Sequence, residues 1–212
     1  ILLDVARYVV GATAAAMLSV AAGKVWVPLD GWSAADPRSI IIVELRVPRT
    51  ILALTVGAAL GLSGAVMQGY LRNPLAEPGL VGVSSGAALG AVLSLFFGYA
   101  AQPFVLPIFA LLGAAATMAL LTLIAGRSGS IILFTLAGMI ITSIAGSMTA
   151  LAISLAPTPF VASEIVTWLM GALTDRSWDE VRFALPLVIL GCAILASTAS
   201  SLDALTLGEE TA

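Results

Sequence analysis

Residues 46–92 read RVPRTILALTVGAALGLSGAVMQGYLRNPLAEPGLVGVSSGAALGAV, two Gly-rich apolar segments joined by a short polar elbow. No residue from Thr50 to Leu71 carries a charge. That is about 22 positions, and a helix rising 1.5 Å per residue needs roughly 20 to cross the hydrocarbon core of a bilayer. The stretch predicts a membrane span. Within it Gly57, Gly61, Ala65 and Gly69 recur at every fourth position, and Gly82, Gly86 and Gly90 repeat the pattern beyond the elbow. Small residues so spaced leave one helix face smooth, so that a neighbouring backbone can come close where lipid supplies no hydrophobic drive. Such spacing is common in membrane helices generally, but its presence in two adjacent segments points to a packed bundle. Between them Asn73 precedes Pro74 and Pro78 follows, which forces a tight turn.

Of the 212 residues 60% are hydrophobic and 10% charged, far from the roughly 25% charged of soluble domains. That balance argues strongly against a soluble fold. The chain has no His and one Cys, Cys192, within an apolar run. Imidazole catalysis, a His/Cys metal site and an internal disulfide are therefore excluded, and Cys192 reads as a small packing residue. A net charge of −3 without a basic tract leaves no footprint for nucleic acid. No G-x-x-x-x-G-K-[ST] motif occurs, so the chain has no phosphate-cradling loop of that kind.

Charge-free stretches run over Tyr8–Gly23, Thr50–Leu71, Pro78–Gly126, Ser128–Ser163 and Phe183–Leu202. Gly98, Pro103 and Pro107 divide the third, and Pro157 and Pro159 break the fourth. The expectation is an all-α membrane protein, a polytopic bundle with six spans near 5–27, 50–71, 79–97, 104–125, 131–156 and 183–202, plus a short amphipathic helix near 161–173. Ser19, Ala21 and Ala22 also allow the first segment to be read as a signal peptide, against which Asp4 is unusual in such a leader. With Ile1 in place of Met, a few preceding residues are expected. If the N-terminus is cytoplasmic, the inside holds Arg7, Arg72 and Arg127, whereas Lys24, Arg38, Arg46, Arg49, Arg176 and Arg182 lie outside. The positive-inside rule favours the reverse. No ionisable residue sits mid-span in this assignment, which argues against proton- or sodium-coupled transport.

Four blocks in order resemble the FecCD-type permease subunits of ABC importers for iron-siderophores, haem and cobalamin. They are RVPRT at 46–50, GAVMQGYLRNPLAEPGLVGVSSGAALG at 64–90, WLMGALTDRSW at 168–178 and LTLGEETA at 205–212. The second block is highly specific. The resemblance implies a transmembrane permease domain with ten spans, of which this chain carries about six as the N-terminal two-thirds. It implies a multi-pass protein of the bacterial cytoplasmic (inner) membrane with a cytoplasmic N-terminus, settling orientation against the charge count. It implies no cofactor and no catalytic residue. The implied partners are a second permease subunit, as a homodimer or close heterodimer, two cytoplasmic ATPase subunits, and a periplasmic or lipid-anchored substrate-binding protein.

The resemblance also implies roles for particular positions. Arg46 and Arg49 would dock acidic residues of the binding protein, a role suited to the permanently charged guanidinium; the alternative is that they reach anionic headgroups. Asn73 and Leu75 would contribute to the cytoplasmic gate, with Gln68 facing the pathway. Gly138, Thr142 and Gly146, which begin a four-spaced stripe continued by Ala150 and Ser154, would line the pathway. Leu207, Gly208, Glu209 and Glu210 would open the coupling helix that seats in the ATPase, acidic residues suiting a helix start. The WLMGALTDRSW block reads as an outside-facing amphipathic segment with interfacial Trp168 and Trp178. The expected cargo is a metal chelate, ferric siderophore first, with haem and cobalamin sharing the motifs. A secondary transporter or channel is the competing class.

Overall fold

The computed structural model describes residues 2–22, 37–102, 104–126, 130–174 and 176–200, and every regular element among them is helical. In chain order these are α1 (Leu2–Ala21) and α2 (Pro37–Ile40), a π-helical segment Ile41–Arg46, then α3 (Val47–Leu71) and α4 (Val83–Phe96). There follow α5 (Val105–Ala125), α6 (Ile131–Ser154), α7 (Pro159–Met170) and α8 (Trp178–Ser197). The protein is an all-α polytopic membrane protein. Four helices, Ile41–Leu71, Val105–Ala125, Ile131–Ser154 and Trp178–Ser197, are long and apolar enough to cross a bilayer. The chain divides into two compact units, one of residues 1–62 and 173–200 and one whose described part is 63–172.

In the first unit the helix does not begin after Pro48 as the X-Pro rule suggests. Val47 is helical (φ −64°, ψ −51°), and its N–H donates to the Ile42 carbonyl, a five-residue step. In an α-helix a proline ring collides with the carbonyl four residues back. The wider π turn relieves that collision, and Pro48 is fully buried within it. In this register the next bond would run from residue 48 to the Val43 carbonyl, for which proline has no N–H. The Trp178 indole supplies the missing donor, with Nε1 donating to Val43 O at 3.0 Å. Helix α8 starts at Trp178 rather than near 183, because Ser177 and Glu180 form a capping box. The Ser177 N–H donates to Glu180 Oε2 at 2.8 Å, and the Asp179 N–H donates to Ser177 Oγ at 3.3 Å.

In the second unit α4 is the centre. Its buried Gly86 and Gly90 meet α5: a Cβ at Gly86 would land on Thr117 Oγ1, one at Gly90 on the Phe109 carbonyl, and one at Gly113 on the Gly86 carbonyl. Val81, Leu121, Ala125, Ala137 and Ile141 form one apolar cluster, and Val92, Leu95, Ala152 and Ile165 a second. Trp168 packs half-buried on the second cluster, so it is a core residue of this unit rather than a purely interfacial one. The expected span over 79–97 is instead a 3-10 turn, Pro78–Val81, followed by the 14-residue α4. Gly82, at φ +76°, breaks the helix between them. At 1.5 Å per residue α4 is about 21 Å long, short of the ~30 Å hydrocarbon core.

The two small-residue stripes behave differently. The α4 stripe is closed by α5 and α6, whereas a Cβ at Gly57, Gly61 or Gly64 of α3 meets nothing within 4 Å. The expected close approach on α3 is thus not made by the described residues. Small residues permit such an approach but do not supply the neighbour.

Candidate functional site

The arginine corner is built by the π segment and the first turn of α3. Arg46 is 6% exposed. Its Nη1 donates to the carbonyls of Val20 at 3.0 Å and Ala21 at 2.7 Å, the last turn of α1. Arg49, half-buried, donates from Nη2 to Ser19 O at 3.1 Å and Ala22 O at 3.4 Å. Thr50 Oγ1 donates to the Arg46 carbonyl at 2.8 Å and lies 2.9 Å from Ser19 Oγ. The last four carbonyls of a helix have no partner within it and carry its negative dipole end. Two cations therefore cap α1 from another helix. The resemblance implies that Arg46 meets a partner, while in this structure its guanidinium is turned onto the chain's own backbone. The same unit carries a surface depression of about 340 Å³ lined by Glu44, Ser177, Trp178, Asp179 and Arg182.

The elbow ends α3 with a Schellman arrangement. The Arg72 N–H donates to Gly69 O at 3.4 Å and the Asn73 N–H to Gln68 O at 3.2 Å, with Arg72 left-handed at φ +48°. Asn73 Oδ1 then accepts from the Leu75 N–H at 2.9 Å, an Asx turn, while the Ala76 N–H donates to Asn73 O at 3.0 Å. The result buries Ala76 to 2% and leaves Leu75 83% exposed. Gln68 is exposed as well. Asn73 is thus a turn former and Leu75 the apolar group the turn presents.

The α6 stripe separates into two parts. Gly138 is buried, and a Cβ there would sit 2.6 Å from Leu80 O and 3.0 Å from Val81 Cα. It is a packing position for the 3-10 turn rather than an open wall, which revises the lining expectation for it. Thr142 Oγ1 donates to Gly138 O at 2.9 Å and stands 3.2 Å from the Cβ position of Gly82. Gly146, by contrast, is exposed with open space at its Cβ. Leu207, Gly208, Glu209 and Glu210 lie outside the described residues.

Sequence reasoning passed over Ala76, Gly113, Thr117 and the Trp178–Val43 bond. The S-x-x-E spacing of Ser177 and Glu180 was a readable helix start. Nothing local marks Ala76 as buried.

The FecCD transport family matches residues 11–212 of the sequence. The chain belongs to the FecCD transport family. Among FecCD relatives, an uncharacterised ABC transporter permease of Bacillus subtilis, YvrB, is 39% identical over 178 residues, 81% of this chain and 50% of that protein. The vitamin B12 import permease BtuC of Klebsiella pneumoniae is 34% identical over 92% of this chain and 59% of its own length. The Fe(3+) dicitrate permease FecD of Escherichia coli is 34% identical over 92% and 61%. A solved metal-chelate type ABC transporter in an inward-facing conformation superposes with a TM-score of 0.83 at 32% identity, covering 94% of this chain and 63% of that one. This FecCD chain therefore spans about half to three-fifths of the curated relatives it matches.

Proposed function

We propose that the chain forms the membrane-permease part of an ATP-driven importer that moves a metal chelate across the bacterial cytoplasmic membrane by alternating access. The observation that carries this is the family match across residues 11–212, joined to four bilayer-length helices. Relatives named for vitamin B12 and for Fe(3+) dicitrate support a chelate cargo. A 35% identical permease of Haemophilus influenzae is named for molybdate import. Ferric siderophore is the first candidate, with haem and cobalamin next. The permease pairs with a second permease subunit and two cytoplasmic ATPases, and a periplasmic or lipid-anchored binding protein delivers cargo. The N-terminus faces the cytoplasm. The binding protein docks on the arginine corner. Leu75 and Gln68 act at the cytoplasmic gate on the Asn73 turn, Thr142 and Gly146 border the pathway, and Leu207–Glu210 begin the ATPase-coupling helix.

The test is uptake of labelled ferric siderophore and cobalamin by the full-length permease with its ATPase and binding protein in proteoliposomes. Uptake that requires both ATP and the binding protein is the expected result. Uptake indifferent to both overturns the importer reading in favour of a secondary carrier or channel.

A further inference from the structure

The two arginines of the corner are not equivalent. Arg46 is almost fully buried and makes the two shorter bonds to α1, at 2.7 and 3.0 Å. Arg49 is half-buried, and its two bonds to described residues, at 3.1 and 3.4 Å, both use Nη2. A guanidinium has five N–H donors in a planar fork, so the Nε and Nη1 edge of Arg49 remains to offer a carboxylate. Among the described residues helix α1 has little else to hold it. Tyr8, Val9, Val10, Met17 and Leu18 are all more than half exposed, and its contacts within its unit gather at the Ser19–Ala22 end. The buried Arg46 guanidinium is held on the α1 carbonyls by hydrogen bonds that solvent is poorly placed to replace, so Arg46 is committed to α1.

We propose that the corner divides its work. Arg46 is a positioning residue that fastens the C-terminal end of α1 to the start of α3, and Arg49 alone presents charge to a carboxylate of the incoming binding protein. This rests on the docking reading above and refines it. The α1 clamp sets where the Arg49 guanidinium stands, because Arg49 Nη2 rests on the same last turn of α1 that Arg46 fixes. Losing Arg46 would therefore weaken docking indirectly, by letting that turn move.

The test uses the full-length permease with its ATPase subunits in nanodiscs, titrated with loaded binding protein at two salt concentrations. The Ser19 and Thr50 hydroxyls, 2.9 Å apart, give the position report. In a Cys192→Ala background, Ser19→Cys/Thr50→Cys is joined by a short thiol cross-linker. Arg49→Gln should cross-link like the parent, weaken docking about two- to fivefold as expected for one exposed ion pair, and flatten its salt dependence. Arg46→Gln should cross-link poorly and weaken docking while keeping the parent's salt dependence, and installing the cross-link should restore its docking. Arg46→Lys, should the glutamine variant fail to fold, should recover part of the cross-linking. Arg46→Gln that flattens the salt dependence and is not rescued by the cross-link overturns the division while leaving docking at the corner intact. Arg46→Gln that cross-links like the parent overturns the clamp. If neither arginine changes docking, the docking reading itself falls, and the division with it.

Discussion

Replacing Gly90 with alanine will push α4 away from α5. The added Cβ falls on the Phe109 carbonyl oxygen, with the carbonyl carbon at 2.9 Å and Ala110 Cα at 3.3 Å, where ordinary contact begins near 3.4 Å. The obstruction is backbone, which no side-chain rotation removes. Clearing the carbon alone requires an opening of about 0.5 Å, and a gap of that size forfeits roughly a quarter of each contact's attraction. With contacts worth about 0.1–0.2 kcal/mol each, and with the oxygen requiring a wider opening still, the loss falls in the range of about 1–3 kcal/mol typical of overpacking. Alanine returns about 0.5–1 kcal/mol of helix preference. Gly90→Ala should therefore destabilise by about 1–2 kcal/mol, since helices in lipid are held by packing rather than by a hydrophobic drive. Gly57→Ala, with nothing within 4 Å of its Cβ, should be neutral or stabilising by up to about 0.5–1 kcal/mol. Detergent-solubilised protein unfolded by increasing dodecyl sulfate, followed by far-UV circular dichroism, reads both. Equal stability of Gly90→Ala and wild type, or an equal loss from Gly57→Ala, would refute the assignment of α4 as the close-packed helix.

Gly82→Ala should cost about 1–2 kcal/mol in the same titration, because position 82 is left-handed and its Cβ would press Gly138 O, Ile141 Cγ2 and Thr142 Oγ1, each at 3.2 Å. Ser94→Ala should be neutral or stabilising, up to about 1 kcal/mol, since the fully buried Ser94 hydroxyl has no hydrogen-bond partner among the described residues; a clear loss would mean that the hydroxyl is bonded. Trp178→Phe removes the donor on the Val43 carbonyl and should cost about 1 kcal/mol. That cost should shrink in a Pro48→Ala background, where the backbone regains a donor at residue 48, and an additive double-mutant cycle would contradict the link.

The spans of α5 and α6 were legible because long charge-free runs end at Gly and Pro. The elbow was legible for a similar reason, since Asn73-Pro74 and Pro78 leave few conformations. What one sequence could not supply was partners. Gly57 and Gly86 sit in identical four-residue patterns, yet only Gly86 meets a neighbouring helix, because the pattern records permission for contact and not the contact itself. Arg46 and Arg49 were readable as a paired cationic motif. That one is buried follows from carbonyls some 25 residues earlier, which no local pattern encodes. Gly138 and Gly146 likewise share a face of α6, and the 3-10 turn covers only the first. The π turn that admits Pro48 into the helix has no sequence signature as plain as the proline itself.

That wide turn between Ile41 and Arg46 also bears on how related chains are to be aligned. The wide turn holds one residue more than an ordinary helical turn, so removing one there would let the backbone close into regular helix with little change in length or facing on either side. The cost would be local, since the Pro48 ring would again meet a carbonyl four residues back. A one-residue gap at this place is thus absorbed within the turn, and a homologue differing by one residue there can be matched on both sides of it without a change of face.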